Sequence, residues 1–192
     1  MDVMTAIRAR RSIGKVKADS VDRALIEQII EAATWAPNHH LTEPWKFIVM
    51  TGEGRKVLGD AYAYAAISQE GLSGLEEAAL EERLDKERAK AYRSPVVIAA
   101  VCSPSDNPRA VQAEELAAAH AAVQNLLLAA HALGLGAVWR SGDPMYHPLM
   151  HQAFGLDERE SLVGLIYIGY SDMKELQGRR QPAAEKTVWL EG

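Results

Sequence analysis

The chain has 192 residues, a formal net charge of −5 and a single cysteine, Cys102. This length suits one domain with a real core, and 48% hydrophobic with 24% charged residues is ordinary for a globular protein. An acidic balance without a basic block argues against nucleic acid or an anionic membrane as the main partner. A lone cysteine excludes an internal disulfide and fits a reducing compartment.

No segment of the sequence is typical of a targeting signal or a membrane span. The first eleven residues lack an apolar run of signal-peptide length. The most apolar stretch, 116–133, carries four polar groups that a membrane helix would rarely hold: His120, Gln124, Asn125 and His131. We therefore expect a cytoplasmic protein that does not bind membranes.

Two helices are predicted at the start of the chain. Apolar residues at helical spacing indicate an opening helix that ends near Arg10. Ser20 is the predicted N-cap of a second helix, which Pro37 stops. The buried stripe of this second helix is expected to be Leu25, Ile26, Ile29, Ile30 and Ala33.

The next region should form a strand over 45–50, followed by a helix over about 55–67. Glycine and serine at 71–74 indicate a break. The segment 75–93 is rich in Glu, Lys, Arg and Ala with few apolar residues. It predicts an exposed helix, the main part of a helical excursion over about 68–93 that lies near the site rather than in the core.

A long helix over 109–133 dominates the second half and should close at Gly134. It is apolar nearly all round from Leu116, so we expect a sheet on one side and a partner on another. His120, Gln124 and His131 should be satisfied polar groups in a packed interface.

Strands are predicted over 95–101, 137–139 and 162–168, with a further edge strand over 186–190. The mixture indicates an α+β layer fold.

Three segments, taken in order, resemble the nitroreductase family over nearly the whole chain. They are Arg10-Arg11-Ser12, the stretch 36–49 from Ala36-Pro37-Asn38-His39 to Pro44-Trp45-Lys46-Phe47, and 134–142 with the strand 163–170 that follows it. Trp139-Arg140-Ser141-Gly142 looks like the short branch of NAD(P)H nitroreductases. The resemblance implies a single FMN-binding domain over 1–192. Its expected fold is a central, mostly antiparallel sheet flanked by helices, with a long buried helix at a dimer interface.

The sequence departs from the family pattern at two places. Family members often carry Asn and Gln before the Pro-Trp pair, where Leu41 and Glu43 stand here. Many have a basic residue two positions after Ser12, where this chain has Gly14 followed by Lys15. FMN binding is still expected, whereas the substrate class is left open.

The resemblance implies a tightly but non-covalently bound FMN whose phosphate needs an anchor. Arg10 and Arg11 offer charge and a planar donor fork, and Ser12 adds a hydroxyl. The alternative is that arginines late in a helix only complement its dipole. Arg180, which stands before Gln181-Pro182, fits a late family arginine, or else it is an exposed basic residue of the tail.

The flavin ring needs other groups. Reduced flavin carries negative charge near N1 and the C2 carbonyl, and Arg10, Lys15 and Arg140 are the unranked candidates to stabilise it. The resemblance places the turn after Trp139 and Arg140 beside N5, with the Ser141 backbone N–H as donor and Gly142 allowing close approach. The alternative is an ordinary glycine turn between a strand and a helix.

A further part of the site is expected from a second subunit. The segment from Trp35 through Pro37 and Asn38 to His39 resembles the loop that reaches the partner's flavin. The alternative is a helix end at the surface with a half-buried tryptophan. The resemblance thus implies a homodimer with an FMN site at each subunit interface.

Other chemistries find little support. His147 and His151 are four residues apart, but Pro148 stands where a zinc protease has Glu, so no metal is expected. Cys102 follows a buried strand and should be inert. The sequence has neither a Gly-x-Ser-x-Gly elbow nor a Gly-x-Gly-x-x-Gly after a strand.

The expected activity is a ping-pong transfer from NADH or NADPH, through flavin N5, to a nitroaromatic, quinone or similar small acceptor. Two alternatives stay open: other flavin chemistry on the same fold, such as reductive dehalogenation or flavin breakdown, and a flavin-binding interaction protein without significant turnover.

Overall fold

The computed structural model describes residues 1–70 and 76–192. The break predicted at 71–74 lies outside these residues. Among those described, no helix is long and apolar enough to cross a membrane. The helices are α1 Val3–Ala9, α2 Arg23–Thr34, α3 Lys56–Glu70, α4 Glu77–Arg88, α5 Gln112–Ala132 and α6 Pro148–Ala153. The strands are β1 Trp45–Thr51, β2 Val96–Cys102, β3 Gly136–Arg140 and β4 Ser161–Gly169.

The four strands form one antiparallel sheet in the order β1-β2-β4-β3. Ile98 of β2 lies opposite Ile166 of β4, and Val138 of β3 lies opposite Tyr167. Beyond β3, Ser12 forms a parallel bridge to Ala137, and the Ile13 N–H donates to the Ala137 carbonyl. The segment that follows α1 is therefore fixed against the edge of the sheet.

Each face of the sheet carries its own apolar core. Ile98, Ile166 and Ile168 face a layer built from α2 and α5. Val97, Leu165 and neighbouring residues face α3 and α6 on the other side. β2 is buried along its whole length because both faces are covered. The predicted α+β architecture is confirmed, with the sheet entirely antiparallel.

Two predicted details of the elements are wrong. Asp22, not Ser20, caps α2, and its carboxylate accepts from the Ala24 N–H at 3.0 Å. The tail predicted as an edge strand over 186–190 contains only a 3-10 turn, Ala183–Lys186, and no strand. Alternating apolar residues cannot pair without a neighbouring strand, and the described part of this chain offers none to the tail.

The charged segment is more buried than predicted. α4 and the 3-10 turn Ala89–Tyr92 pack on α3, and Leu84, Glu87 and Ala91 are buried. Glu87 is 3% exposed because Arg83 and Lys90 both form ion pairs with its carboxylate. The pattern of apolar residues does not reveal a charged side chain that is buried together with its ion-pair partners. For this reason the sequence predicted an exposed helix.

Candidate functional site

Three arginines converge beyond the end of α1. Arg10 is the C-cap residue of α1. Burial, and then the nearby charges of Arg11 and Arg180, lower the pKa of Arg10 from its ordinary value. Within the described part of the chain, none of the three guanidinium groups forms an ion pair with a carboxylate. Like charges held together without a counter-charge are suited to binding a polyvalent anion.

Arg11 also supports the helix end. Its Nη1 donates to the carbonyl oxygens of Arg8 and Arg10, both at 2.7 Å, while its Nε is buried without a hydrogen-bond partner. The C-terminal segment passes directly over this side chain, because a Cβ on Gly178 would lie 1.8 Å from Arg11 Nη2. The structure thus shows the helix-capping contacts that were the alternative for Arg11, and it leaves one buried donor unused.

A cavity of about 120 Å³ lies beside this cluster and is lined by Arg10, Arg11, Ile13, Leu127, His131 and residues of the segment 171–176. His131 Nε2 is buried there and has no hydrogen-bond partner in the described chain. The prediction that His131 is a satisfied polar group is therefore wrong for this atom. Its α5 neighbour His120 does have a partner, since its Nδ1 lies 2.6 Å from the Leu116 carbonyl oxygen.

A larger cavity of about 450 Å³ opens on the opposite face of the sheet from α5. Arg140 lies in its wall, with its guanidinium carbon 5.4 Å from the centre of the Tyr167 ring. Arg140 Nε is buried and unpartnered. Ser141 also lines this cavity, and Gly142 next to it has a φ of 125°, a conformation that favours glycine. The predicted turn after β3 therefore lies at a cavity.

Trp139 and Arg140 extend to opposite faces of the sheet. The Trp139 indole donates to the Val163 carbonyl at 3.1 Å and stacks on His120 of α5, with 5.6 Å between ring centres. The indole crosses β4 at Gly164, where a Cβ would lie 2.1 Å from the indole nitrogen. The side chain of Trp139 thus packs the sheet against α5, although the residue also contributes to the wall of the larger cavity.

Within the described part of the chain, Arg140 forms no ion pair with a carboxylate, in contrast to the nearby Lys15. Lys15 forms an ion pair with Asp172 at 2.6 Å. Gly14 lies beside Arg140, because a Cβ there would be 3.9 Å from Arg140 Nη2. Arg140 thus approaches the position at which the family pattern often has a basic residue.

The loop after α2 lies apart from both cavities. Trp35 is 77% exposed, and its indole donates to Glu31 at 2.6 Å. His39 lies 2.7 Å from Glu114 of α5. Pro37, Asn38 and His39 line a separate open cleft with Glu114, Ala117, Ala118 and Ala121. Within one chain, the structure does not bring this predicted part of the site to Arg10 or Arg140.

Three residues directly after this loop have an unusual backbone conformation. The residues that replace the family's Asn and Gln, Leu41 and Glu43, both have positive φ, 54° and 45°, and so does His40 at 59°. Three such residues outside glycine are costly and need support from their surroundings. The Asn38 side chain supplies part of it by accepting from the Glu43 N–H at 3.0 Å.

Sequence reasoning missed several residues of the larger cavity. Lys90 and Arg93 line it from the segment after α4, and Tyr62 lines it from α3. The Tyr62 and Tyr167 hydroxyls lie 3.2 Å apart, and burial raises the pKa of both phenols. These residues are distant in sequence and belong to no common motif, so only the packing of α3 and α4 on the sheet brings them together.

His147, one of the two histidines weighed as metal ligands, has another contact. The His147 side chain accepts from the Leu149 N–H at 3.2 Å and caps α6. No group of three or more His, Cys, Asp or Glu is placed to hold a metal ion anywhere in 1–70 or 76–192.

Comparison with known proteins gives a consistent result. The model of the Nitroreductase family matches residues 7–170. "Putative NAD(P)H nitroreductase YfhC" of Bacillus subtilis (strain 168) is 36% identical over 180 residues, which cover 94% of this chain and 90% of that protein.

Solved structures agree in fold. The nitroreductase-like family protein from Bacillus cereus has a TM-score of 0.84 and 33% identity, covering all of this chain and 97% of the other. A structure from Desulfovibrio desulfuricans, described as a nitroreductase in complex with FMN, has a TM-score of 0.74 and 28% identity over 100% of this chain and 98% of the other. Because the family model spans most of the sequence and the fold agrees, the chain belongs to the nitroreductase family.

Proposed function

We propose that this protein is an FMN-dependent oxidoreductase whose residues 1–192 form a single FMN-binding domain. It passes electrons from NADH or NADPH to a nitroaromatic, quinone or similar small acceptor, and it does so in the cytoplasm. One observation carries the proposal. Buried donors without partners, Arg11 Nε and Arg140 Nε, lie at two cavities on either side of the β3 edge. Unpaired buried polar groups are rare in folded proteins, and each needs an explanation, such as a bound water, ion or ligand. The relative from Desulfovibrio desulfuricans was solved with FMN.

The phosphate of FMN fits the arginine cluster. Arg10 and Arg180 supply cations that no carboxylate of the described chain neutralises, and Arg11 adds its unused Nε. A phosphate dianion there would offset both the burial and the mutual repulsion that together lower the pKa of Arg10. Ser12, fixed on the edge of β3 by its bridge to Ala137, is positioned to add its hydroxyl.

The ring edge of FMN fits Arg140. Lys15 is neutralised by Asp172, and Arg10 belongs to the arginine cluster, which leaves Arg140 as the cation for the N1 and C2 carbonyl region. FMN supplies hydride transfer at N5 in a ping-pong cycle, in which the nicotinamide leaves before the acceptor stacks in its place. The chain orients the ring, offers the Ser141 N–H near N5 and excludes water.

The loop 35–39 fits a site shared by two chains. Trp35 and Leu41 are 77% and 85% exposed, and the small residues of α5 beside His39 leave an open cleft. Large apolar side chains that are exposed in a single chain are often covered at an interface. We propose a homodimer in which this loop completes the FMN site of the partner subunit.

A binding experiment tests the cofactor assignment. The wild-type protein should bind FMN far more tightly than riboflavin, since losing charge-assisted contacts to a phosphate costs about 1.5–3 kcal/mol, or roughly 10- to 150-fold. Arg180→Gln should lose most of this preference, whereas Arg179→Gln, the adjacent control, should keep it. Equal wild-type affinity for FMN and riboflavin, measured by fluorescence titration, would contradict the assignment.

An activity assay separates the proposal from its alternatives. The FMN-loaded protein should oxidise NADH or NADPH when menadione or nitrofurazone is present. Absence of turnover with both acceptors would favour a flavin-binding protein without this activity or another flavin chemistry.

A further inference from the structure

The charge of the larger cavity is one-sided. Its charged lining residues, Lys90, Arg93 and Arg140, are all basic, and no carboxylate lines it within the described chain. The remainder of the wall includes Val138, Met145 and Leu165, which offer apolar surface to a planar ring. A lining that combines apolar surface with basic side chains matches an aromatic ring that carries a negative group.

The three cations differ in what already balances them. Lys90 forms an ion pair with Glu87, whose carboxylate is buried. Arg140, in the proposed function, faces the ring edge of FMN. Arg93 forms no ion pair in the described chain, and its side chain is exposed at the cavity. Arg93 is therefore the cation that remains for a second ligand.

We propose that the acceptor is an aromatic acid, and that Arg93 binds its carboxylate while the ring lies in the larger cavity. This inference rests on the proposed function, because it names the substrate class of the same site. A guanidinium group matches a carboxylate with two parallel hydrogen bonds, so Arg93 orients the acceptor as well as attracting it. The reaction itself is unchanged: NAD(P)H gives two electrons by way of the flavin to a nitro group on the ring, which takes up two protons and becomes a nitroso group with loss of one water, and the carboxylate takes no part in the transfer.

The test compares two acceptors of nearly the same shape and different charge, 4-nitrobenzoate and 4-nitrobenzamide. For the FMN-loaded wild type, KM should be lower for the acid than for the amide, and the difference should shrink as NaCl is raised. Arg93→Gln should raise KM for the acid by about five- to tenfold, as expected for a partly exposed charged pair. KM for the amide and for NADPH should change by less than about twofold.

Two variants serve as controls. Lys86→Gln removes an exposed cation of α4 that pairs with Glu82 and does not line the cavity, so both values of KM should stay at the wild-type level. Arg93→Lys keeps the charge and should retain part of the preference for the acid. If Arg93→Gln does not fold, the salt dependence and the behaviour of Arg93→Lys decide the question in its place.

The outcomes are distinguishable. Equal changes of KM for the acid and the amide, or a change for NADPH alone, would overturn the inference and assign Arg93 to packing or to the phosphates of the donor. A wild type that reduces menadione but shows no preference between the two nitro compounds overturns this inference alone. A wild type that fails with menadione as well overturns the proposed function.

Discussion

Arg140 is a cation held in place before any ligand arrives. Its guanidinium lies over the Tyr167 ring at 5.4 Å, and Tyr167 in turn touches the Tyr62 hydroxyl. Because burial raises the pKa of both phenols, they stay neutral over the working pH range and do not compete for the charge of Arg140. Stacking on an aromatic ring fixes the orientation of a guanidinium group without neutralising it.

Arg140→Gln should therefore slow flavin reduction. Removing the cation destabilises the negative charge of reduced FMN by about 1.5 kcal/mol or more, which corresponds to about tenfold in rate if the effect is fully felt in the transition state. The bound FMN should also become harder to reduce. Anaerobic stopped-flow with NADPH gives the rate. Lys15→Gln is the matched control, because the Lys15 charge is already paired with Asp172. A wild-type rate for Arg140→Gln would show that the ring edge lies elsewhere.

The residues that sequence reasoning identified are those that local motifs carry. Arg10, Ser12 and Ser141 each stand in a short segment whose order is typical of the family. Lys90 and Arg93 carry no such signal, because they reach the larger cavity through the packing of α4 and its following turn. Which arginine has a free donor also depends on tertiary contacts, so the sequence could not rank the candidates for the ring edge.

At the scale of elements, the Trp139 indole is one of the side chains that pack β3 and β4 against α5. Trp139 fits because Gly164 has no side chain, and its hydrogen bond to the Val163 carbonyl prevents it from moving aside freely. The strand that carries Trp139 on one face carries Arg140 on the other. The packing on the α5 side therefore sets the position of the cation on the cavity side.

Gly164→Ala should destabilise the fold by about 1–3 kcal/mol, the usual cost of overpacking a core, because the new Cβ would lie 2.1 Å from the indole nitrogen. Urea unfolding gives this value. Gly54→Ala is the control, since a Cβ there meets nothing within 4 Å. If both variants unfold at the same urea concentration, Trp139 is not as tightly held as the structure indicates.

The elements themselves were predictable where burial is periodic. All four central strands and α5 lie close to their predicted bounds, because their apolar patterns are long or uninterrupted. The start of α2 was misplaced by two residues, since Ser20 and Asp22 are both good caps and only the folded geometry shows which carboxylate or hydroxyl reaches the helix amides. The edge strand predicted over 186–190 is wrong because a strand needs a neighbouring strand to pair with, and the local sequence pattern does not show whether one is present.

At the scale of the whole molecule, the single chain leaves apolar groups in water. In the tail, Val188, Trp189 and Leu190 are 84%, 78% and 94% exposed, and Trp35 is 77% exposed. Leu127, which faces inward from α5, is buried by its own chain, so a charge there would test folding rather than assembly. The exposed side of α5 near the loop 35–39 carries Ala117 instead.

Ala117→Glu separates folding from assembly. In a monomer the new carboxylate would lie in water on an exposed helix position and change stability by less than about 0.5 kcal/mol. At an isologous interface it would be buried twice, once from each subunit, and should shift the protein toward monomers. If the loop 35–39 completes the partner's site, FMN should be lost with the dimer, because a ligand that contacts two chains favours their association.

Ala78→Glu on the exposed side of α4 is the control for Ala117→Glu and should leave both the assembly and the flavin content unchanged. Sedimentation velocity over a dilution series, with flavin content measured in parallel, gives both readouts. A wild-type monomer that keeps its full complement of FMN would show that one chain builds the site alone, and the exposed tail and Trp35 would then need another partner.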